Sequence, residues 1–261
     1  MKVSRTDKSM LLRSVLKKGG WTLLSFSFLF ILWCVVAIIV GNSYLLPSLG
    51  ETVKACGQLL LSQSFWGAYG STLLRSIVGF SISFIIAGAM SILTCYFVEL
   101  EKIFAPILSL LRSLPTMAIL LIIILWTNAK IAPIVISVLV LLPLLYSAML
   151  SAKTSVDTEL LEMSEVYGVP KERIIRQLVL PSIFPLIARE CVTALTLSLK
   201  LTVSAEIMAN TFHSLGGQMQ TASLYAQTPT VFALAMLIFV TGFIIECVGI
   251  WAIKRVEERV L

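Results

Sequence analysis

Long runs without a charged residue dominate the hydrophobic pattern of this chain. Three of them cover residues 21–50, 76–98 and 131–152. A helix needs about 20 apolar residues to cross the hydrocarbon core of a bilayer, and each run reaches that length. The strands of a transmembrane barrel would be about ten residues long and would alternate in polarity. The pattern therefore predicts an all-α polytopic membrane protein.

The composition agrees with this interpretation. Hydrophobic residues make up 58% of the chain and charged residues only 13%, with a mean hydropathy of +0.96, which excludes an ordinary soluble domain. The apolar runs, together with the charges that separate them, predict six transmembrane helices. They lie at about residues 21–40, 72–97, 104–126, 131–150, 186–207 and 231–253.

Basic residues indicate the side of the membrane on which each connecting segment lies. They are concentrated in residues 1–20, in the loop 151–182 and in the tail 254–261, whereas the predicted outward loops 41–71, 127–130 and 208–230 hold only Lys54 and Lys130. Cytoplasmic segments carry an excess of lysine and arginine, so this distribution predicts a multi-pass membrane protein with both termini in the cytoplasm. It also accounts for the net charge of +6 without nucleic-acid binding.

The segment between the first two spans differs from a simple loop. The first apolar run, at 21–40, is too long for a signal peptide and is predicted to be a retained span. Residues 41–65 are half polar and are predicted to form an extracytoplasmic segment with a short interfacial helix that starts near Pro47 and Ser48. Residues 66–253 then form the transmembrane core.

The residue types that perform chemistry inside membranes are isolated in this sequence. His213 is the single histidine, and the five cysteines show no CxxC or metal-ligand spacing. An intramembrane enzyme would need paired aspartates, a Ser–His pair or a His/Glu metal set within its spans, and the predicted spans contain none of these. We therefore expect no catalytic site, metal or bound cofactor in this chain.

One polar segment interrupts the apolar pattern. Residues 161–181 read LEMSEVYGVPKERIIRQLVLP. Helical spacing places glutamates on one face and apolar side chains on the other. Gly168 is suited to end a helix in a left-handed turn, and Pro170 to begin the next one. We predict two short amphipathic helices joined at a glycine elbow, which suits docking into a groove of a partner protein. The alternative is a solvated loop whose charges only keep this segment on the cytoplasmic side of the membrane.

This segment resembles the cytoplasmic signature of the inner-membrane permeases of bacterial ABC importers. The signature has the form E-A-A-x3-G-x9-I-x-L-P, and the chain matches its spacing with Glu162, Met163, Ser164, Gly168 and Pro181. Methionine and serine replace the two alanines. In that family the segment is the coupling helix that seats in the ATP-binding subunit, and the resemblance implies the same role here.

Further stretches resemble the branch of this family that imports nitrate, sulfonates, taurine and thiamine precursors. They are LPSLGETV at 46–53, STLLRSIVGF at 71–80, RSLPTMA at 112–118, and SAEIMAN and LGGQMQ within 204–220. The resemblance implies a type I ABC importer permease fold with six transmembrane helices. It also implies inward passage of a small anionic or polar organic solute, which a binding protein delivers.

The resemblance further implies several partners. The sequence has no GxxxxGK[ST] motif, so ATP and Mg would be bound by a separate ATPase. The expected assembly contains two ATP-binding subunits, an extracytoplasmic solute-binding protein and a second permease chain, as a homodimer in the bilayer. A secondary transporter or channel subunit without an ATPase is the alternative, and such a protein would not need a docking elbow.

The fifth predicted span carries a polar stripe. Thr193, Thr196, Lys200 and Ser204 lie on one side of a helix. A lysine in mid-bilayer costs on the order of 2.5–3.5 kcal/mol, so it normally faces protein or a wet cavity. One hypothesis is that the stripe lines the translocation path and attracts an anionic solute. The alternative is that Lys200 snorkels or pairs with Glu206.

An acidic residue in the sixth span also requires a partner. Glu246 lies in the predicted cytoplasmic half of that span, and Arg189 lies at a similar depth on the fifth. We predict a structural ion pair between the two, with proton relay by Glu246 as the alternative.

Overall fold

The computed structural model of the chain contains helices and no strand in the residues that it describes. These are Leu24, residues 27–153 and residues 155–260, with the backbone alone described at 153 and 258–260. The first seven helices, α1 to α7, are Ser27–Val40, Leu49–Leu61, Gln63–Tyr96, Glu99–Ser113, Thr116–Trp126, Ala132–Lys153 and Thr158–Val166. Helices α8 to α11 are Lys171–Ile174, Leu180–Met208, Leu215–Leu224 and Thr228–Val260. The basic segment 1–20 and residues 21–23 lie outside the described residues.

The number of spans in the described residues differs from the prediction of six. Four helices are long and apolar enough to cross a membrane, and α4 with α5 makes a fifth span if the two are counted together. The described part of the first predicted span, Ser27–Val40, extends for only about 21 Å at 1.5 Å per residue. This length is short of the roughly 30 Å of a hydrocarbon core.

The third predicted span, 104–126, is a broken helix. Helices α4 and α5 meet at an angle of 96°. Pro115 has no N–H to continue the helix, and its ring forces the preceding residue out of the helical region, so Leu114 is extended at ψ 134°. The proline signal is present in the sequence, but the apolar run on both sides of it favoured a continuous span.

Two predicted helix boundaries are informative. The helix predicted near Pro47 and Ser48 is confirmed as α2, Leu49–Leu61: the hydroxyl of Ser48 accepts from the N–H of Glu51 at 3.3 Å, and the Glu51 carboxylate accepts from the N–H of Ser48 at 3.0 Å. At the other end of the chain, the segment 254–261 was expected to be a tail separate from the sixth span, but α11 continues through it to Val260.

Small side chains allow the central helices to pack closely. A stripe along α3 recurs every three or four residues and is buried: Ala68, Thr72, Ser76, Gly79, Ser83, Ala87 and Ser91. Hydroxyl groups also join the helices, since Ser198 of α9 donates to the carbonyl of Ser76 at 2.8 Å and Ser137 of α6 lies 3.2 Å from the hydroxyl of Thr202. Small residues and interhelical hydrogen bonds are the usual basis of helix association in lipid.

A buried carboxylate joins α3, α9 and α10. Glu206 is fully buried. It accepts a hydrogen bond from Arg75 Nη1 at 2.7 Å, one from the hydroxyl of Thr72 at 2.8 Å and one from the N–H of Gly216 at 3.2 Å. Thr72 in turn accepts from the N–H of Leu215 at 3.0 Å. We call these five residues the Glu206 network.

We predict that Glu206→Gln lowers the stability of the protein strongly. The substitution leaves the Arg75 guanidinium, which is only 14% exposed, without its counter-charge, and breaking a buried pair costs on the order of 3–5 kcal/mol. Thermal unfolding of the detergent-solubilised protein measures the change. Glu190→Gln is the matched control, because Glu190 lies on the same helix and makes no hydrogen bond or ion pair among the described residues. Equal unfolding temperatures for the two variants would contradict the role of the network.

We further predict that Gly216→Ala destabilises the protein whereas Gly57→Ala does not. A Cβ atom on Gly216 would lie 2.4 Å from Glu206 Cβ and 2.7 Å from the carbonyl oxygen of Val203, so α10 could not keep its position against α9. A Cβ atom on Gly57 would meet nothing within 4 Å. The yield of folded protein and its unfolding temperature test this contrast, and an unaffected Gly216→Ala protein would refute it.

Candidate coupling segment and transport cavities

The glycine elbow predicted in the polar segment is present and has a defined geometry. Gly168 follows α7 with φ +64°, in the left-handed region. The N–H of Val169 donates to the carbonyl of Ser164 and that of Gly168 to the carbonyl of Glu165, both at 3.0 Å. This pair of hydrogen bonds is the Schellman motif, which ends a helix sharply and favours glycine at its left-handed position.

Helix α7 has no buried residue in this chain. The side chains of Glu162 and Met163 are exposed, and those of Val166 and Tyr167 are 84% and 77% exposed. Ser164 is half-buried and donates its hydroxyl to the carbonyl of Leu160 at 2.7 Å. The helix therefore presents apolar and acidic side chains outward on a short, capped element, as a docking surface would.

The helix that follows the elbow is longer than predicted. We predicted a second short helix that would end near Pro181, but Lys171–Met208 is one long helix. A π-helical turn at Ile175–Val179 joins α8 to α9, and the N–H of Leu180 donates to the carbonyl of Ile175. In an α-helix the ring of Pro181 would clash with the carbonyl four residues earlier. The wider π-helical turn accommodates the proline, so the helix continues past Pro181.

The polar stripe of α9 lies on two neighbouring cavities. Thr196, Lys200 and Ser204 line a cavity of about 400 Å³ between α9 and α11. Thr193 lines a second cavity, of about 480 Å³, nearer the predicted cytoplasmic end. Glu246 of α11 lines both cavities. All four predicted stripe residues are thus grouped on the side of α9 that faces α11.

The predicted ion pair between Arg189 and Glu246 does not form, and neither does the alternative pair of Lys200 with Glu206. Arg189 pairs with Glu257, whose carboxylate oxygen lies 3.2 Å from Arg189 Nη2, and not with Glu246. This partner was missed because α11 continues as a helix beyond the predicted end of the sixth span. Glu206, considered as a partner for Lys200, is bonded to Arg75 instead. Lys200 and Glu246 are exposed to their cavities and have no ion-pair partner within 4.0 Å among the described residues.

A third and larger cavity was not predicted from the sequence. It has a volume of about 860 Å³ and is lined by α4, α5, α6 and α9. Arg112, at the end of α4, donates to the carbonyl of Pro143 at 2.7 Å and to the hydroxyl of Ser147. The only signal in the sequence was an arginine close to Pro115, at the position where the span breaks. The arginine therefore holds the broken span against α6 at the wall of this cavity.

No group of three or more His, Cys, Asp or Glu side chains able to hold a metal ion occurs among the described residues. Within the same residues the five cysteines are free thiols. His213 is exposed, has a φ of +53° and belongs to no such cluster.

Solved ABC transporters share the fold of this chain. The chain matches the inward-facing MetNI methionine ABC transporter at 19% identity, with a TM-score of 0.59, over 77% of this chain and 100% of that one. It matches an amino acid ABC transporter with histidines at 14% identity and a TM-score of 0.59, over 75% and 93%. The helices thus have the ABC importer permease fold.

The sequence family defines the role of the chain more narrowly than the fold does. The family of binding-protein-dependent transport system inner membrane components matches residues 84–258, so the chain belongs to that family. It is a permease subunit of a binding-protein-dependent ABC importer, a non-catalytic multi-pass protein of the inner membrane. It is also similar to the riboflavin transport system permease protein RibX of Chloroflexus aurantiacus, with 27% identity over 202 residues, or 76% of this chain and 75% of that protein. This membership favours the permease over a secondary transporter or channel.

Proposed function

We propose that this permease imports a small anionic or polar organic solute, and that α7 couples its movement to ATP hydrolysis by a partner subunit. The observation that carries the proposal is the continuity of one helix. The elbow at Gly168 leads directly into Lys171–Met208, and that helix places Lys200 in a cavity. A force applied at the elbow would therefore reach the cavity wall without passing through a flexible loop.

The substrate class rests on the branch resemblance and on the cavity. Sulfonates, taurine, nitrate and thiamine precursors are the solutes of the branch that the sequence resembles. The relative from Chloroflexus aurantiacus has a name that specifies riboflavin, which adds a polar heterocycle to the candidates. Lys200 is a cation with no ion-pair partner in its cavity among the described residues, so it supports an acidic group on the solute.

The proposed assembly has two copies of this chain, two ATP-binding subunits and one extracytoplasmic binding protein. The six predicted spans would place both termini, α7 and the elbow in the cytoplasm, with α2 and α10 on the outer side. Lys200 and Glu246 lie within apolar helices and are exposed in the single chain. Charged side chains at such depth face protein or water, which supports a second permease chain opposite them.

We predict that Glu162→Lys and Gly168→Asp each abolish co-purification of the ATPase and leave membrane insertion intact. The first reverses an exposed charge on α7, and the second introduces a Cβ atom at a φ of +64°, where it distorts the elbow. Affinity purification of the tagged permease with quantification of the ATPase measures the effect.

Matched controls separate docking from a general loss of folding. Gly50→Asp introduces the same side chain in α2, where an added Cβ atom meets nothing within 4 Å. Glu101→Lys makes the same charge reversal on α4, where the side chain is also exposed. Both controls should retain the ATPase. Full recovery of the ATPase with Glu162→Lys and with Gly168→Asp would remove α7 from the coupling role.

We also predict that Lys200→Met reduces uptake more than it reduces ATPase activity. Proteoliposomes that contain the complete transporter are tested with labelled taurine, nitrate, an alkanesulfonate and riboflavin. If Lys200 attracts an acidic group, removal of the charge should lower uptake of the acidic members of the panel by about tenfold, since a hydrogen bond to a charged group contributes about 1.5–3 kcal/mol. Undiminished uptake of every transported member would exclude Lys200 from the path.

A further inference from the structure

The cavity between α9 and α11 holds two opposite charges that do not pair with each other. Lys200 comes from α9 and Glu246 from α11, and both side chains line the same cavity of about 400 Å³. No ion pair within 4.0 Å forms between them, and neither has another such partner among the described residues. Two unpaired charges in apolar helices are costly, so their joint presence in one cavity requires a physical reason.

The register of the two helices fixes the relative heights of the charges. A Cβ atom on Gly242 would lie 3.4 Å from a methyl carbon of Thr196, and one on Gly249 would lie 2.4 Å from a methyl carbon of Val192. The helices are therefore antiparallel, and Glu246 is level with the residues just before Thr196. At 1.5 Å per residue, Lys200 lies about 9 Å further along the axis, toward the predicted outer side.

The side chains shorten this separation. A helical side chain leans toward the N-terminus of its own helix. In antiparallel helices this direction brings the Lys200 ammonium group toward Glu246 and the Glu246 carboxylate toward Lys200. The two charged groups consequently converge from opposite ends of one cavity but stay apart by more than the length of an ion pair.

The wall between the charges is apolar. Phe239 and Phe243 lie on α11 at the same helical face as Glu246, and all three line the cavity together with Thr196 and Ser204. An aromatic face is compatible with a methylene chain and attracts an ammonium group. The volume is in the range of small-molecule sites, which are mostly apolar with a few placed polar groups.

We propose that the α9–α11 cavity selects short zwitterionic solutes, with Lys200 binding the acidic group and Glu246 binding the ammonium group. This inference rests on the proposed function and narrows its substrate class. A simple anion would satisfy Lys200 and leave Glu246 unpaired and repelled, whereas a solute with both charges satisfies both side chains. Between the two charges, Phe243 contacts the connecting methylene groups.

Three solutes of matched size test the proposal. Taurine carries both charges, ethanesulfonate lacks the ammonium group, and ethylamine lacks the acidic group. The complex of permease and ATPase is purified without the binding protein, and the shift of its unfolding temperature is measured against the concentration of each solute. We expect taurine to half-saturate at a concentration about tenfold below that of ethanesulfonate, because a hydrogen bond to a charged group contributes about 1.5–3 kcal/mol.

Variants assign each charge to its group. Glu246→Gln should remove the preference for taurine over ethanesulfonate, and Lys200→Gln should remove the preference for taurine over ethylamine. The double variant K200E/E246K should restore the taurine preference, because the solute can bind in the opposite orientation. Lys130→Gln and Glu101→Gln, which change charges outside the cavity, serve as controls and should behave as the wild type.

Two results would overturn the proposal. One is equal half-saturation by taurine and ethanesulfonate, or no shift with taurine, in the intact wild-type complex. The other is a lower unfolding temperature of both single variants without solute that K200E/E246K restores, with no taurine preference, since this would indicate a structural pair. Failure of the ATPase to co-purify with the wild-type chain would instead refute the proposed function, so the two failures are distinguishable.

Discussion

The arrangement of the helices depends on the buried carboxylate of Glu206. A charge at this position costs several kcal/mol in desolvation unless donors surround it, and two helices supply them. Arg75 and Thr72 come from α3, and the N–H of Gly216 comes from the start of α10. Because each donor has to lie within hydrogen-bond distance, the C-terminal end of α9 is fixed against α3 and α10. The absence of a side chain at Gly216 permits the close approach.

This fixed end gives the long helix a mechanical role. Lys171–Met208 spans about 57 Å at 1.5 Å per residue, with the Glu206 network near one end and the elbow at Gly168 just before the other. The α9–α11 cavity lies between the two. In the proposed coupling, displacement of the N-terminal end of this helix turns it about its fixed C-terminal end. The π-helical turn at Ile175–Val179 lies between the elbow and the cavity, so the proposed displacement has to pass through it.

Residue type and helical spacing were sufficient to predict the features that depend only on neighbouring residues, namely helix caps, turns and helix faces. The capped start of α2, the left-handed turn at Gly168 and the common face of Thr196 and Lys200 followed from residue type and helical spacing. The break at Pro115 was also local, but the hydrophobic pattern on both sides outweighed it. The partners of Glu206 and Arg189 could not be predicted, because they lie on helices that are distant in the sequence. Glu257, the partner of Arg189, also lies beyond the predicted end of the sixth span, where α11 continues as a helix.

The contrast between the buried and the exposed charges separates structural from functional roles. Glu206 is closed from solvent and has a full set of donors, so its charge is accounted for within this chain. Lys200 and Glu246 are open to a cavity and have no ion-pair partner among the described residues, and a permease that only had to fold would be more stable with apolar residues there. The proposed zwitterionic solute would supply both counter-charges that the described residues do not provide within 4.0 Å.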